Sequence, residues 1–184
     1  MIYQIKVKVK HIRPAIWRRI QVGDNITLRK FHTILQVVMG WGNYHLHEFE
    51  IDGCRYAPTE DEFGEPLDFS DTVVSDKKVR LSQVVSGEKA RFLYTYDFGD
   101  DWQHELLVEK IMPAEKGRRY PICIKGERAC PHEDCGGTQG YYQLLDARKH
   151  PEDPDCAELL EWAGDYDPEK FDVDAINACL QRMR

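Results

Sequence analysis

The sequence predicts a single α+β domain spanning residues 1–184, with an antiparallel or mixed sheet covered by an N-terminal helix and by C-terminal helices. Three observations carry that expectation. Apolar and basic residues alternate with a two-residue period near the N-terminus. Two segments rich in β-branched and aromatic residues flank the turn Gly99-Asp-Asp101, and beyond Met112-Pro113 the strand patterns give way to segments that open on Asp-Pro. A chain of 184 residues buries a core without disulfide or metal staples.

Ile5, Val7 and Val9 alternate with Lys6, Lys8 and Lys10, which puts apolar side chains on one sheet face and ammonium groups on the other. A second strand is expected over Ala15–Val22, ending at the Gly23-Asp-Asn25 turn. Thr27 then caps a helix in which Leu28, Phe31, Leu35 and Val38 recur at helical spacing, and Gly40 ends it. His45 to Ile51 alternates again, and Asp52-Gly53 turns the chain toward Cys54–Ala57. Pro58 to Asp71 is an acidic loop, with Glu60, Asp61, Glu62, Glu65, Asp68 and Asp71 around Gly64 and Pro66. Leu81, Val84 and Val85 form a short helix or turn before the strongest hairpin, Arg91–Phe98 and Trp102–Ile111.

Gly117 to Gly137 reads as a loop, and a helix follows from about Thr138 to Arg148 with Tyr141, Leu144 and Leu145 inward. Asp153-Pro154 and Asp167-Pro168 each place a capping carboxylate before proline. They open helices that carry Leu159, Leu160 and Trp162, and then Phe171, Val173, Ile176 and Leu180.

The net charge of −7 argues against nucleic acid as the default partner, because phosphate neutralisation needs a basic surface. The stretch through His47 is locally basic, with Lys6, Lys8, Lys10, Arg13, Arg18, Arg19, Arg29 and Lys30 against Asp24. No run approaches the roughly 18 apolar residues of a membrane span, and Met1-Ile-Tyr-Gln-Ile-Lys lacks the order of a signal peptide, so no membrane contact and a cytoplasmic location are expected. Thiols there stay reduced or bind metal. Cys54, Cys156 and Cys179 read as small core residues; Cys123, Cys130 and Cys135 form a set that could hold a structural zinc, with His132 or a residue from elsewhere as fourth ligand. The competing reading is a loop anchored by buried thiols, with Glu133 and Asp134 capping the next helix.

Two segments concentrate the chemistry: Tyr94-Thr-Tyr-Asp-Phe-Gly-Asp-Asp-Trp-Gln-His-Glu105 and Cys130-Pro-His-Glu-Asp-Cys-Gly-Gly137. Asp97, Asp100, Asp101, His104 and Glu105 crowd one turn, where carboxylates repel unless a positive group sits nearby, although Asp100 and Asp101 also suit a turn for their backbone tolerance. His45 and His47, two apart on an expected strand, would share a face and could clasp one ion with His104 and a carboxylate; packing against Trp41, Tyr44 and Phe49 is the alternative. Ser70 is the first serine, no serine sits in a Gly-x-Ser-x-Gly elbow, and no phosphate loop or dinucleotide glycine fingerprint occurs.

The stretches Tyr96-Asp-Phe-Gly-Asp-Asp-Trp-Gln-His104, Gly126-Glu-Arg-Ala-Cys-Pro-His-Glu-Asp-Cys-Gly-Gly137 and Leu160-Glu-Trp-Ala-Gly-Asp-Tyr-Asp-Pro168, with Trp17-Arg-Arg and His45-Leu-His-Glu-Phe49, resemble the plasmid pRiA open-reading-frame-three-like family. The resemblance covers nearly the whole chain. It implies one α+β domain of a kind found in plasmids, insertion elements and chromosomes, and brings no biochemical activity with it. His132 stands where relatives often carry a second proline, which weakens it as an essential ligand. Some relatives are labelled resolvases, but a serine recombinase needs a serine beside an arginine cluster near its N-terminus, which this chain lacks.

The expected function is therefore a binding or adaptor module in which His45, His47, Asp97, Asp100, Trp102 and His104 form an acidic-aromatic rim, with a cation assisting, for a protein or basic peptide. A metal-dependent hydrolase using the same imidazoles and carboxylates is the alternative. A nucleic-acid accessory protein of a mobile element, using Lys6, Lys8, Lys10, Arg18 and Arg19, ranks last, because strand lysines usually form a solvated face.

Overall fold

The N-terminal alternation forms a strand: β1 (Ile2–Val9) buries Ile5, Val7 and Val9 completely, and Lys8 stays exposed. The computed structural model describes residues 1–60, 63, 65–67 and 72–183; within the acidic loop, Asp61, Glu62, Gly64, Asp68 and Asp71 lie outside the described residues. The further strands are β2 (Trp17–Gly23), β3 (His47–Ile51), β4 (Cys54–Ala57), β5 (Val73–Ser75), β6 (Arg91–Tyr96), β7 (Trp102–Met112) and β8 (Ile122–Glu127). They form one mixed sheet in the order β5-β4-β3-β6-β7-β1-β2-β8. β4 and β5 run parallel and the other neighbours antiparallel. The long β7 lies between β6 and β1, so the hairpin that stood out in the sequence forms the middle of the sheet.

Helix α1 (Leu28–Met39) covers one face. Thr27 Oγ1 accepts from Lys30 N, and Gly40, at φ +85°, closes the other end by donating to Gln36 O. Leu28, Phe31, Leu35 and Val38 are buried as their spacing predicts; each contributes on the order of 2 kcal/mol by leaving water. Helices α2 (Leu81–Val84), α3 (Gly137–Ala147), α4 (Ala157–Ala163) and α5 (Val173–Arg182) follow. The core runs from Ile5, Val7, Phe31 and Phe49 to Tyr94, Tyr96, Trp102 and Tyr141.

Four local expectations need correction. β2 begins at Trp17 rather than Ala15. The stretch read as loop after Met112-Pro113 contains β8, which Gly126 disguises: a side chain there would put Cβ within 2.6 Å of Phe171 and 2.8 Å of Trp17 O. Asp167-Pro168 forms a turn in which Asp167 Oδ1 accepts from Glu169 N, while α5 is capped by Asp172, whose Oδ1 accepts from Ala175 N. Cys54 and Cys179 are exposed and Cys156 is half-buried, so these three are not core residues. Among the described residues no helix is long and apolar enough to cross a membrane.

Candidate functional site

The β6–β7 turn is built by its own carboxylate. Asp97 adopts φ +56°, a left-handed conformation that aspartate tolerates, and its Oδ1 accepts from Gly99 N at 2.9 Å and Asp100 N at 3.3 Å. Asp97 N donates to Leu46 O, which ties the segment preceding β3 to the turn.

The Cys130–Gly137 loop closes on the same turn. Gly136 N donates to Asp100 Oδ2 at 3.2 Å. Gly137, at φ +65°, lies so close to the hairpin that an added Cβ would stand 2.5 Å from Asp100 O. Glu133 accepts from Gly42 N at 2.6 Å and, through its other oxygen, from the Tyr96 hydroxyl. That hydroxyl also accepts from Tyr44 N at 3.0 Å. Burial, then the hydrogen bond to Glu133, raise the Tyr96 phenol above its ordinary range, so it remains a donor. The two segments conspicuous in the sequence thus belong to one apex.

At that apex His45 Nε2 lies 3.0 Å from Asp134 Oδ1 and 3.6 Å from Asp97 Oδ2. One ligand atom from each of the three residues falls within 4.8 Å of the others, the sole such grouping of three or more His, Cys, Asp or Glu among the described residues. The chain neighbours Tyr44 and Leu46 of His45, and Phe98 after Asp97, are exposed to 80 %, 39 % and 46 %.

The expected rim is therefore split. His45, Asp97 and Asp100 meet at the apex, whereas His47, Trp102 and His104 are buried beneath it. His45 precedes β3 instead of lying on it, so His45 and His47 do not share a strand face. His47 Nε2 bonds to Asp76 Oδ2 at 2.8 Å, and its ring stacks on His32. Asp76, fully buried, also pairs with Arg29 at 2.9 Å. Burial alone would raise the Asp76 carboxyl, but the hydrogen bonds from His47 and Arg29 outweigh it and hold the group below its ordinary value. Burial pushes His104 down to about 4 and lowers His47 as well. Burial thus disfavours the charged form of both imidazoles.

Sequence reasoning missed Asp134 as a partner of His45, and missed His32 and Asp76 altogether. Asp134 sits in a motif already singled out, and His32 falls on the inward face of α1, three residues before Leu35 and one after Phe31.

The three thiols proposed for zinc do not converge. Cys130 Sγ touches Met39 Sδ at 3.4 Å, Cys123 Sγ bonds to Lys125 O and Cys135 Sγ to Gly137 O. Burial raises all three thiols, Cys135 to about 12. His132 packs against Trp162 and Tyr166, and neither Glu133 nor Asp134 caps α3, whose first turn follows Gly136. The basic strand residues are largely occupied. Arg18 is buried and donates to Val38, Trp17 and Glu127 carbonyls, Arg19 pairs with Glu109, Lys10 bonds to Gln103, and Lys6 lies over the Trp17 ring.

A family model described as plasmid pRiA4b ORF-3-like protein matches residues 1–175. An uncharacterised protein of Sinorhizobium fredii is 34 % identical over 185 residues, spanning 99 % of this chain and 92 % of its own length. The crystal structure of a protein of unknown function from Methanosarcina mazei is similar with a TM-score of 0.81 at 39 % identity, over 94 % of this chain and 96 % of that one.

Proposed function

The chain belongs to the plasmid pRiA4b ORF-3-like family, and from that premise we propose that it is a binding module whose apex receives a basic segment of a protein partner. The observation that carries this reading is that exposed Tyr44 and Leu46 flank His45 in the chain and exposed Phe98 follows Asp97, beside the apex carboxylates of Asp97, Asp100 and Asp134. Exposed aromatics held by a rigid scaffold supply contact area at small entropic cost, and clustered carboxylates attract cationic side chains. The scaffold is rigid where it matters: the Tyr96 hydroxyl, Glu133 and the Asp100–Gly136 hydrogen bond fix all three segments. The overall charge of −7 points the same way.

The test is fluorescence anisotropy of a labelled peptide library in which Lys and Arg alternate with apolar residues, run beside a labelled DNA duplex, all in chelator. Binding of basic peptides that weakens with salt and falls at least tenfold in Tyr44→Ala, Phe98→Ala supports the proposal. Duplex binding at low salt with no peptide bound would overturn it in favour of the nucleic-acid reading.

A further inference from the structure

We propose that His45, Asp97 and Asp134 form a binding site for a single first-row divalent cation, independent of any protein partner. Metal bonds of about 2.0–2.2 Å set neighbouring donor atoms roughly 3–3.5 Å apart. The His45 Nε2 distances, 3.0 Å to Asp134 Oδ1 and 3.6 Å to Asp97 Oδ2, match that spacing before any adjustment.

Two observations separate this cluster from an ordinary group of surface acids. His45 Nε2 is buried and makes no hydrogen bond among the described residues, although Asp134 Oδ1 lies 3.0 Å away; Asp97 Oδ2, at 3.6 Å, is beyond hydrogen-bond distance. The Asp97 side chain is only 9 % exposed, and among the described residues its one ion pair is with His45. Its Oδ1 is held by the Gly99 and Asp100 amides, the kind of outer support that orients a ligating carboxylate, and its Oδ2 is left facing the imidazole.

The three ligands come from three segments that the surrounding hydrogen bonds already hold together, so the site needs little ordering on binding. Asp134, 68 % exposed, leaves one side of the ion open to water. One imidazole with two carboxylates is a nitrogen–oxygen donor set that suits Mn²⁺ or Zn²⁺ and offers no thiolate to favour Cu(I). A divalent ion would also neutralise two carboxylates that otherwise share only an imidazole.

The competing account is direct pairing of His45 with the two carboxylates, which requires no metal. Titration calorimetry of chelator-treated protein with Mn²⁺ and with Zn²⁺ at pH 7.5 decides between them, with electron paramagnetic resonance as a second readout for Mn²⁺. One equivalent is expected to bind. The dissociation constant should rise at least tenfold in Asp134→Asn, Asp97→Asn and His45→Ala, and stay unchanged in Cys130→Ser, Cys135→Ser. Asp134→Asn alters an exposed side chain, so its folding, checked by circular dichroism, keeps the comparison sound even where Asp97→Asn disturbs the turn. Absence of binding by both ions, or equal binding in Asp134→Asn and His45→Ala, overturns the proposal. The peptide assay runs in chelator, so either proposal can fail without the other.

Discussion

The imidazole rings of His32 and His47 lie face to face, their centroids 3.4 Å apart and their planes inclined by 5°. They sit inside the protein between α1 and β3, with Asp76 and Arg29 beyond His47, and Tyr94 and Asn43 bonded to His32. Two protonated rings at that separation would repel each other inside the protein, so the stack disfavours charge on the pair.

This arrangement predicts loss of stability in acid. Burial, then His47, push His32 from 6.5 down to about 3, and burial takes His104 from 6.5 to about 4. Between pH 6.5 and these lower values the unfolded chain binds protons that the folded chain refuses, so stability falls as pH falls through that window. At pH 5 the two histidines together remove about 4 kcal/mol relative to pH 7.5. Depression of Asp76 acts in the same direction below pH 4. Urea denaturation at pH 7.5, 6 and 5 measures the slope; a flat profile would contradict the burial of neutral imidazoles.

Gly137 and Gly53 offer a matched pair for the apex contact. Both have positive φ, +65° and +78°, so alanine at either costs about 1 kcal/mol in backbone strain. At Gly53 nothing lies within 4 Å of the added Cβ, whereas at Gly137 it meets Asp100 O at 2.5 Å. Gly137→Ala is expected to lower the melting temperature by about 5 °C or more beyond Gly53→Ala, since 1 kcal/mol corresponds to roughly 2–4 °C at this size. Equal shifts in a thermal melt would mean that the hairpin and the loop are not in register.

The adjacent arginines Arg18 and Arg19 should differ widely in what their replacement costs. Arg18 joins the last turn of α1 to β2 and β8 through three carbonyl oxygens, and its guanidinium stacks at 4.7 Å on Phe171. Arg18→Met keeps the bulk but leaves those acceptors unpaired in the interior, a cost of about 3 kcal/mol or more. Arg19 makes a half-exposed pair with Glu109, and Arg19→Ala is expected to cost less than about 1 kcal/mol. Chemical denaturation of both variants would reject the structural role of Arg18 if the two losses were similar.

These contrasts show what the sequence made legible. Periodicity revealed β1, α1 and the β6–β7 hairpin because each has a repeating contact with one face of the core, and Thr27 and Gly40 bounded α1 by local chemistry. Composition also located both halves of the apex. It could not join them, since the contact between Asp100 and Gly136 spans 36 residues and depends on which edges the sheet brings together. Alternation was misleading at His45, which lies just outside β3, and basic character was misleading at Arg18, whose charge hides among backbone carbonyls. β8 escaped because an edge strand has one neighbour and here carries a glycine under Phe171.

That edge also carries a prediction. A free strand edge offers unpaired amides and carbonyls to another chain. On β8 the Asn177 side chain from α5 answers both groups of one residue: its Oδ1 accepts from Cys123 N at 2.8 Å and its Nδ2 donates to Cys123 O at 2.9 Å. The amide thus imitates a neighbouring strand and docks α5 at the same time. Asn177→Ala uncovers both groups and should cost about 1–2 kcal/mol. Asn177→Asp keeps the acceptor, loses the donor, and sets a carboxylate against the Cys123 carbonyl, so its loss should be at least as large despite the similar shape. If blocking the edge is part of the role, both variants will also show faster hydrogen exchange at Cys123 and a larger apparent mass in light scattering at high concentration. Unchanged exchange at Cys123 in both variants would show that α5 is held by its apolar face alone.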